Sequence, residues 1–130
     1  MGVDSSQGSE NMGRVALKVL FALANEWKST NEELCKLLNV NSVEVIDSWR
    51  VLEQNNQGVS LAKDVEENIS HLIAIYRLTQ VVFPGKESSW IRCSNQYFND
   101  RSPYAIMLNG KTGAETVRSY LEALSQDNYM

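Results

Sequence analysis

LAKDVEENISHLIAIYRLTQVVF, residues 61–83, decides the fold class. Val65, Ile69, Leu72 and Tyr76 recur at spacings of four, three and four, and Ile73, Val81 and Val82 widen the same stripe. Side chains three and four apart share one side of an α-helix, so this period predicts one long helix with an apolar face. Pro84-Gly85 ends it, because proline cannot continue the ladder and disfavours helix in the residue before it.

The same period continues on both sides. Upstream, Ala16, Leu20, Leu23 and Trp27 recur at four, three and four beside Leu17, Phe21 and Ala24, a wide apolar stripe on one helix. Thr30 with Glu33 reads as a capping box that starts the next helix, whose buried face is Leu34, Leu37 and Leu38. Asn39 suits a left-handed turn, and Asn41 is expected to cap a third, short helix carrying Val43, Ile46, Trp49 and Val51, with Glu44 near its positive end. The polar run 53–58 reads as a linker. Downstream, Trp90 and Ile91 sit in a short amphipathic piece, followed by a loop with Tyr97 and Phe98. Ser102-Pro103 is a helix start, and Asn109-Gly110 a helix end. Thr112 with Glu115 reads as another capping box, opening a final helix with Ala114, Val117, Leu121 and Leu124 on its face. No strand or internal repeat emerges, so the expected class is all-α. Residues 1–13 are rich in Ser, Gly and Asn and are expected to be a disordered tail, with no basic segment leading into an apolar one as a secretory signal needs. The expected division is this tail, a helix-turn-helix region over 14–58, a central helix over 59–85, and a small helical domain over 86–130.

Composition agrees with a folded domain. Hydrophobic residues are 43% and charged residues 22% of 130, and a chain of this length can bury a core without metals or disulfides. The net charge is −4, and neither half is basic: 6 Lys+Arg against 9 Asp+Glu over 1–65, then 6 against 7 over 66–130. Nonspecific nucleic-acid binding by a lone monomer is therefore disfavoured, which leaves open a dimer with a locally positive face. No stretch approaches the ~20 apolar residues that span a bilayer.

Catalysis finds little support. His71 is the only histidine, with no nucleophile or carboxylate pattern around it, and reads as a surface or partly buried helix residue. Glu32-Glu33 and Glu66-Glu67 are adjacent and point different ways on a helix, as solvated faces do. Gly110 and Gly113 are too few to cradle a phosphate. Cys35 and Cys93 have no Cys or His at metal-ligand spacing and are expected to be reduced core thiols of a cytosolic protein. No cofactor and no metal are expected. The sharper signal is residues 30–52, a capped helix, a short turn and a second helix, the spacing that places the second in a DNA major groove. Asn41, Ser42, Glu44, Val45, Ser48 and Arg50 are its candidate reading residues, alongside a purely structural reading of the pair. Against phosphates, Glu44 and Asp47 are offset only by Arg50.

The order of pieces resembles the Xre/MbcA/ParS-type antitoxins, in which an Xre-like helix-turn-helix precedes a toxin-binding domain. The likeness runs from Arg14 to Leu124 through ALKVLFALANEW, EELCKLLNVN, Ser48-Trp49 and the central helix, where Asn68 stands in place of a common Arg. It is most specific in Trp90, Asn95, Phe98, Arg101-Ser102-Pro103, Met107, Gly110, Val117, Tyr120 and Leu121. The resemblance implies a cytoplasmic, non-enzymatic protein whose partner is a RES-domain toxin, a class that consumes NAD, and whose C-terminal region obstructs the NAD pocket. It places Trp90, Asn95, Phe98, Ser102, Pro103 and Lys111 on the toxin, together with a terminal plug of Gln126, Asp127, Asn128, Tyr129 and Met130. From the residues alone that terminus reads equally as a frayed tail, and Trp90, Tyr97, Phe98 and Tyr104 read either as a docking face or as core. The resemblance further implies a homodimer through the N-terminal half, with Leu17, Leu20, Phe21 and Trp27 as spare apolar surface, and operator DNA as a further partner. The rival class is a helix-turn-helix repressor with a different protein partner.

Overall fold

The stripe on residues 61–83 is buried as its period requires. In the computed structural model, which describes residues 5–128, seven α-helices and one 3-10 turn follow one another. They are α1 (Ser5–Trp27), α2 (Asn31–Leu38), α3 (Val43–Gln54), α4 (Lys63–Val82), α5 (Glu87–Arg92), the 3-10 turn Gln96–Phe98, α6 (Pro103–Met107) and α7 (Lys111–Asn128). Among the described residues there is no strand, only an isolated bridge between Asn95 and Arg101. The fold is all-α, and no helix among those residues is long and apolar enough to cross a membrane.

α4 is the axis. Val65, Ile69, Leu72 and Ile75 are buried along it, facing α1 on one side and α7, its most extensive neighbour, on the other. Two polar residues share that face. Thr79 satisfies its hydroxyl on the Tyr76 carbonyl at 2.6 Å, and Asn68 donates Nδ2 to the Leu38 carbonyl at 3.1 Å, fastening the end of α2. α6 crosses α7 so closely that a Cβ on Gly113 would fall 1.9 Å from the Ile106 carbonyl oxygen. Only glycine permits that crossing.

The turns differ from expectation in part. Thr30 and Glu33 form the expected capping box (Glu33 N–H to Thr30 Oγ1, 3.1 Å; Thr30 N–H to Glu33 Oε1, 2.9 Å), and Asn39 closes α2 at φ 57°. Ser102 caps α6 through the Ala105 N–H at 3.0 Å, with Pro103 next. Asn41, however, does not cap α3: that position is Ser42, whose side chain takes no cap bond. Nor does Thr112 open the last helix. α7 begins at Lys111 after Gly110 at φ 95°, and Thr112 already lies within its first turn. α3 also runs on to Gln54, so the linker starts at Asn55 and Val51 is exposed.

The expected disordered tail is helical from Ser5 onward, residues 1–4 lying outside the described residues. Ser, Gly and Asn favour helix weakly, and tertiary packing overrides that preference. The linker returns across α1 here: Val59 donates its N–H to the Glu10 carbonyl at 3.1 Å, and a Cβ on Gly13 would meet the Val59 oxygen at 1.9 Å. Val59 and Leu61 are buried as a result.

One hydrophobic core runs from Leu17 to Leu121 across the expected division into regions. The N- and C-terminal parts are also joined by polar contacts. Arg92, at the end of α5, donates Nε and Nη2 to the Trp27 carbonyl (3.1 and 2.7 Å) and Nη2 to the Lys28 carbonyl (3.1 Å). It thereby covers the open carbonyl end of α1, where a cation also meets the negative pole of the helix. Its guanidinium lies 3.8 Å from the centroid of the Tyr104 ring. The buried Tyr104 hydroxyl reaches Ser29 Oγ at 2.5 Å and donates to Glu33 Oε1 at 3.3 Å. Burial pushes the Tyr104 hydroxyl above its ordinary pKa.

Candidate functional site

Five aromatic rings form a ladder across the C-terminal part. Phe83 stacks on Trp90 at 4.9 Å, Trp90 lies parallel to Tyr120 at 6.2 Å, and Tyr120 meets Tyr97 at 4.4 Å and Phe98 at 5.3 Å. Burial differs among its rings. Phe98 is in the core, Phe83, Trp90 and Tyr120 are half-buried, and Tyr97 is 64% exposed. A large aromatic side chain left in water at the end of a packed ladder is the kind of anchor that protein interfaces use.

Local sequence builds the loop that presents Tyr97. The Asn95 side chain accepts the Tyr97 N–H at 2.9 Å and starts the 3-10 turn. Asn99 and Asp100 then both adopt left-handed backbone (φ 59° and 66°), which Asn and Asp tolerate better than most residues. The chain doubles back so that the Asn95 N–H reaches the Arg101 carbonyl at 3.1 Å, and Ser102 immediately starts α6. Asn95, Ser102 and the buried Pro103 thus hold the loop from within. Phe98 and Tyr104 are core residues, whereas Trp90 and Tyr97 keep surface.

Beside Tyr97 runs an open groove of about 620 Å³, floored by Tyr120, Thr112, Glu115, Thr116, Ser119, Ala123 and Leu124 of α7. From the sequence, Glu115 reads only as the capping-box partner of Thr112, and Thr116 and Ser119 have no assigned role. The signal was there: Thr112, Thr116, Ser119 and Ala123, spaced four, three and four, make a stripe of small residues opposite the buried Ala114, Val117 and Leu121. Lys111 lies outside this groove, with Nζ 3.4 Å from Glu67 Oε2 of α4. Of the expected plug, Gln126, Asp127 and Asn128 belong to the last turn of α7, and Tyr129 and Met130 lie outside the described residues.

The α2–α3 pair presents Asn41, Glu44, Val45 and Ser48 to solvent, with Ser42 half-buried. Arg50 does not join them. It donates Nε and Nη2 to Asn31 Oδ1 (3.3 and 3.1 Å) and lies 4.4 Å from the centroid of the Phe21 ring. The same Asn31 donates to Asp47 Oδ1 at 3.0 Å, so one amide ties α2 to both Asp47 and Arg50 of α3. Hydrogen bonds from its own backbone N–H and from Ser42 hold the Glu44 carboxyl below its usual pKa. The outward face is left acidic.

The apolar surface expected for dimerisation is spent inside the molecule: Leu17, Leu20, Phe21 and Trp27 are all buried. Each such side chain gains about 1.5–3 kcal/mol from that burial, so none is spare. The large exposed apolar residues of α1 are Met12, Val15 and Val19, on its opposite edge. Cys93 is exposed, contrary to expectation, and Cys35 half-buried, its pKa raised by burial and then by Glu32, Glu44 and Asp47. His71 is half-buried, 3.2 Å from an Arg118 nitrogen.

No family model matches the chain. It is similar to an uncharacterized protein, y4oB, of Sinorhizobium fredii (strain NBRC 101917 / NGR234), with 29% identity over 126 residues that cover 93% of this chain and 94% of that protein. The two correspond almost end to end.

Proposed function

We propose that this chain is a cytoplasmic antitoxin that neutralises a RES-domain, NAD-consuming toxin by binding it and obstructing its NAD pocket, with no chemistry of its own. One observation carries the reading. Of the residues that match the toxin-binding pattern, Asn95 and Phe98 hold the exposed Tyr97 directly, Trp90 backs it through Tyr120, and Ser102 and Pro103 start the helix after its loop, beside an open groove. Their arrangement is that of a scaffold presenting a docking face, with Asn95 and Ser102 shaping the loop and Trp90 and Tyr120 backing the anchor. Gln126, Asp127 and Asn128 form the last turn of α7, the helix that floors the groove.

The α2–turn–α3 spacing favours DNA binding, but with Arg50 held by Asn31 the outward face offers Glu44 where phosphates require cations. A repressor that binds some other protein remains the second reading on the strength of that spacing alone. For self-association, the Met12, Val15 and Val19 edge of α1 replaces the buried stripe.

Co-expression with the protein encoded in the adjacent reading frame tests the main reading. A RES protein there is expected to co-elute with this chain and to stop consuming NAD. Separate elution, or co-elution with undiminished NAD consumption, refutes it. Removing residues 125–130 separates plug from docking face: full protection by the shortened chain eliminates the plug. A gel shift across a salt series tests operator binding, and no shift at low salt removes it.

A further inference from the structure

The groove over α7 has a chemical polarity of its own. Up to Glu122, α7 carries four charged residues, Lys111, Glu115, Arg118 and Glu122, and both cations are turned toward α4: Lys111 to Glu67 at 3.4 Å, and Arg118 to His71 at 3.2 Å. Arg118 also sits 3.6 Å from Glu122. Glu115 alone of the four lines the groove. Thr116 spends its hydroxyl proton on the Thr112 carbonyl at 2.9 Å, so its oxygen faces outward as an acceptor. Aromatic surface closes the other wall, where Tyr97 is largely exposed and Tyr120 lies 4.4 Å from it.

A carboxylate, the Thr116 oxygen with its proton already used and the exposed ring of Tyr97 call for a cationic, donating ligand, whose hydrogen bonds the Thr112 and Ser119 hydroxyls can also accept. The arginine side chain matches best: its guanidinium has five N–H donors and no acceptor, and its plane both stacks on aromatic rings and forks onto carboxylates. Lysine matches the charge but not the plane. A phosphate or carboxylate ligand is repelled by Glu115.

We propose that this groove is a recognition site for an arginine side chain presented by a protein partner, with the guanidinium against the exposed Tyr97 ring and its charge answered by Glu115. The identity of the protein bearing that arginine rests on the antitoxin reading; the chemistry of the site does not.

The test is a two-dimensional NMR titration of the intact chain with a blocked Gly-Arg-Gly peptide, with the lysine peptide and the neutral citrulline isostere as comparisons. The arginine peptide is expected to shift the amide signals of Tyr97, Glu115, Thr116 and Tyr120 with a dissociation constant of about 1–10 mM. The citrulline peptide is expected to leave them in place. Glu115→Gln should weaken binding roughly threefold, as loss of an exposed ion pair does, and Tyr97→Ala by about the same or more. Equal shifts with citrulline or lysine, no shift at these residues, or unchanged affinity in Tyr97→Ala would each overturn the proposal. A toxin that fails to co-elute would refute the antitoxin reading and leave the arginine result standing, so the two failures are distinguishable.

Discussion

Replacing Arg92 by alanine should show how firmly the C-terminal part is fixed to α1. The guanidinium makes two bonds to the Trp27 carbonyl and one to the Lys28 carbonyl, and covers the Tyr104 ring at 3.8 Å. Hydrogen bonds from charged groups are worth about 1.5–3 kcal/mol, and with the side chain 39% exposed the lower end applies. The cation–π contact adds about 0.5–1 kcal/mol. The 3.6 Å approach to Glu33 is partly exposed and screened, and adds little. Arg92→Ala should therefore cost about 2–2.5 kcal/mol. With roughly 2.1 cal/mol/K of unfolding entropy per residue, the melting temperature falls by about 7–9 °C. Arg92→Lys keeps the charge near the end of α1 but loses the fork, and should recover about 1 kcal/mol. Thermal and urea unfolding followed by circular dichroism measure both. A loss below about 0.5 kcal/mol in Arg92→Ala, the level of an ordinary surface change, would refute the reasoning. So would a lysine variant as stable as the parent chain.

Gly113→Ala should cost about 2–4 kcal/mol, because the added methyl meets a main-chain oxygen and α6 must shift away from α7; a urea midpoint within error of the parent would contradict that close crossing. Burial raises the Tyr104 pKa above its ordinary 10.0, so the unfolded chain releases that proton first and stability should fall as pH rises from 10 upward. Tyr104→Phe should flatten part of that alkaline loss while lowering stability near neutrality by about 1 kcal/mol, as pH-dependent melts would show. Arg50→Ala should cost about 1–2 kcal/mol of stability through its contacts to Asn31 and Phe21; an unchanged melt combined with a shallower salt dependence of DNA binding would instead make Arg50 a phosphate contact. Tyr97→Ala should cost at most about 1 kcal/mol of stability while abolishing partner capture in co-elution.

The helices were largely legible, because apolar period and end chemistry are local. Residues 61–83, the Thr30–Glu33 box, Asn39 and Ser102-Pro103 each specify backbone from a few neighbours. Local reading misjudged the segments whose state depends on what lies across from them. Residues 5–13 look like a tail until Val59 returns over Gly13. Thr112 looks like a cap, although the turn before it is made by Gly110.

The candidate site divides along the same line. Its aromatic residues could be picked out of the sequence, since side-chain type is local. Which of them meets water could not, because exposure is decided by every neighbour at once: Phe98 and Tyr97 are adjacent, yet one is core and the other the anchor. Arg50 shows the converse case. Its charge is written in the chain, but whether that charge faces DNA depends on Asn31, nineteen positions earlier and brought beside it only by the packing of α2 on α3. Periodicity and capping thus determined an all-helical chain and where most of its helices run. Packing alone decided which charges were spent holding the fold together and which, like Glu115, were left facing a groove.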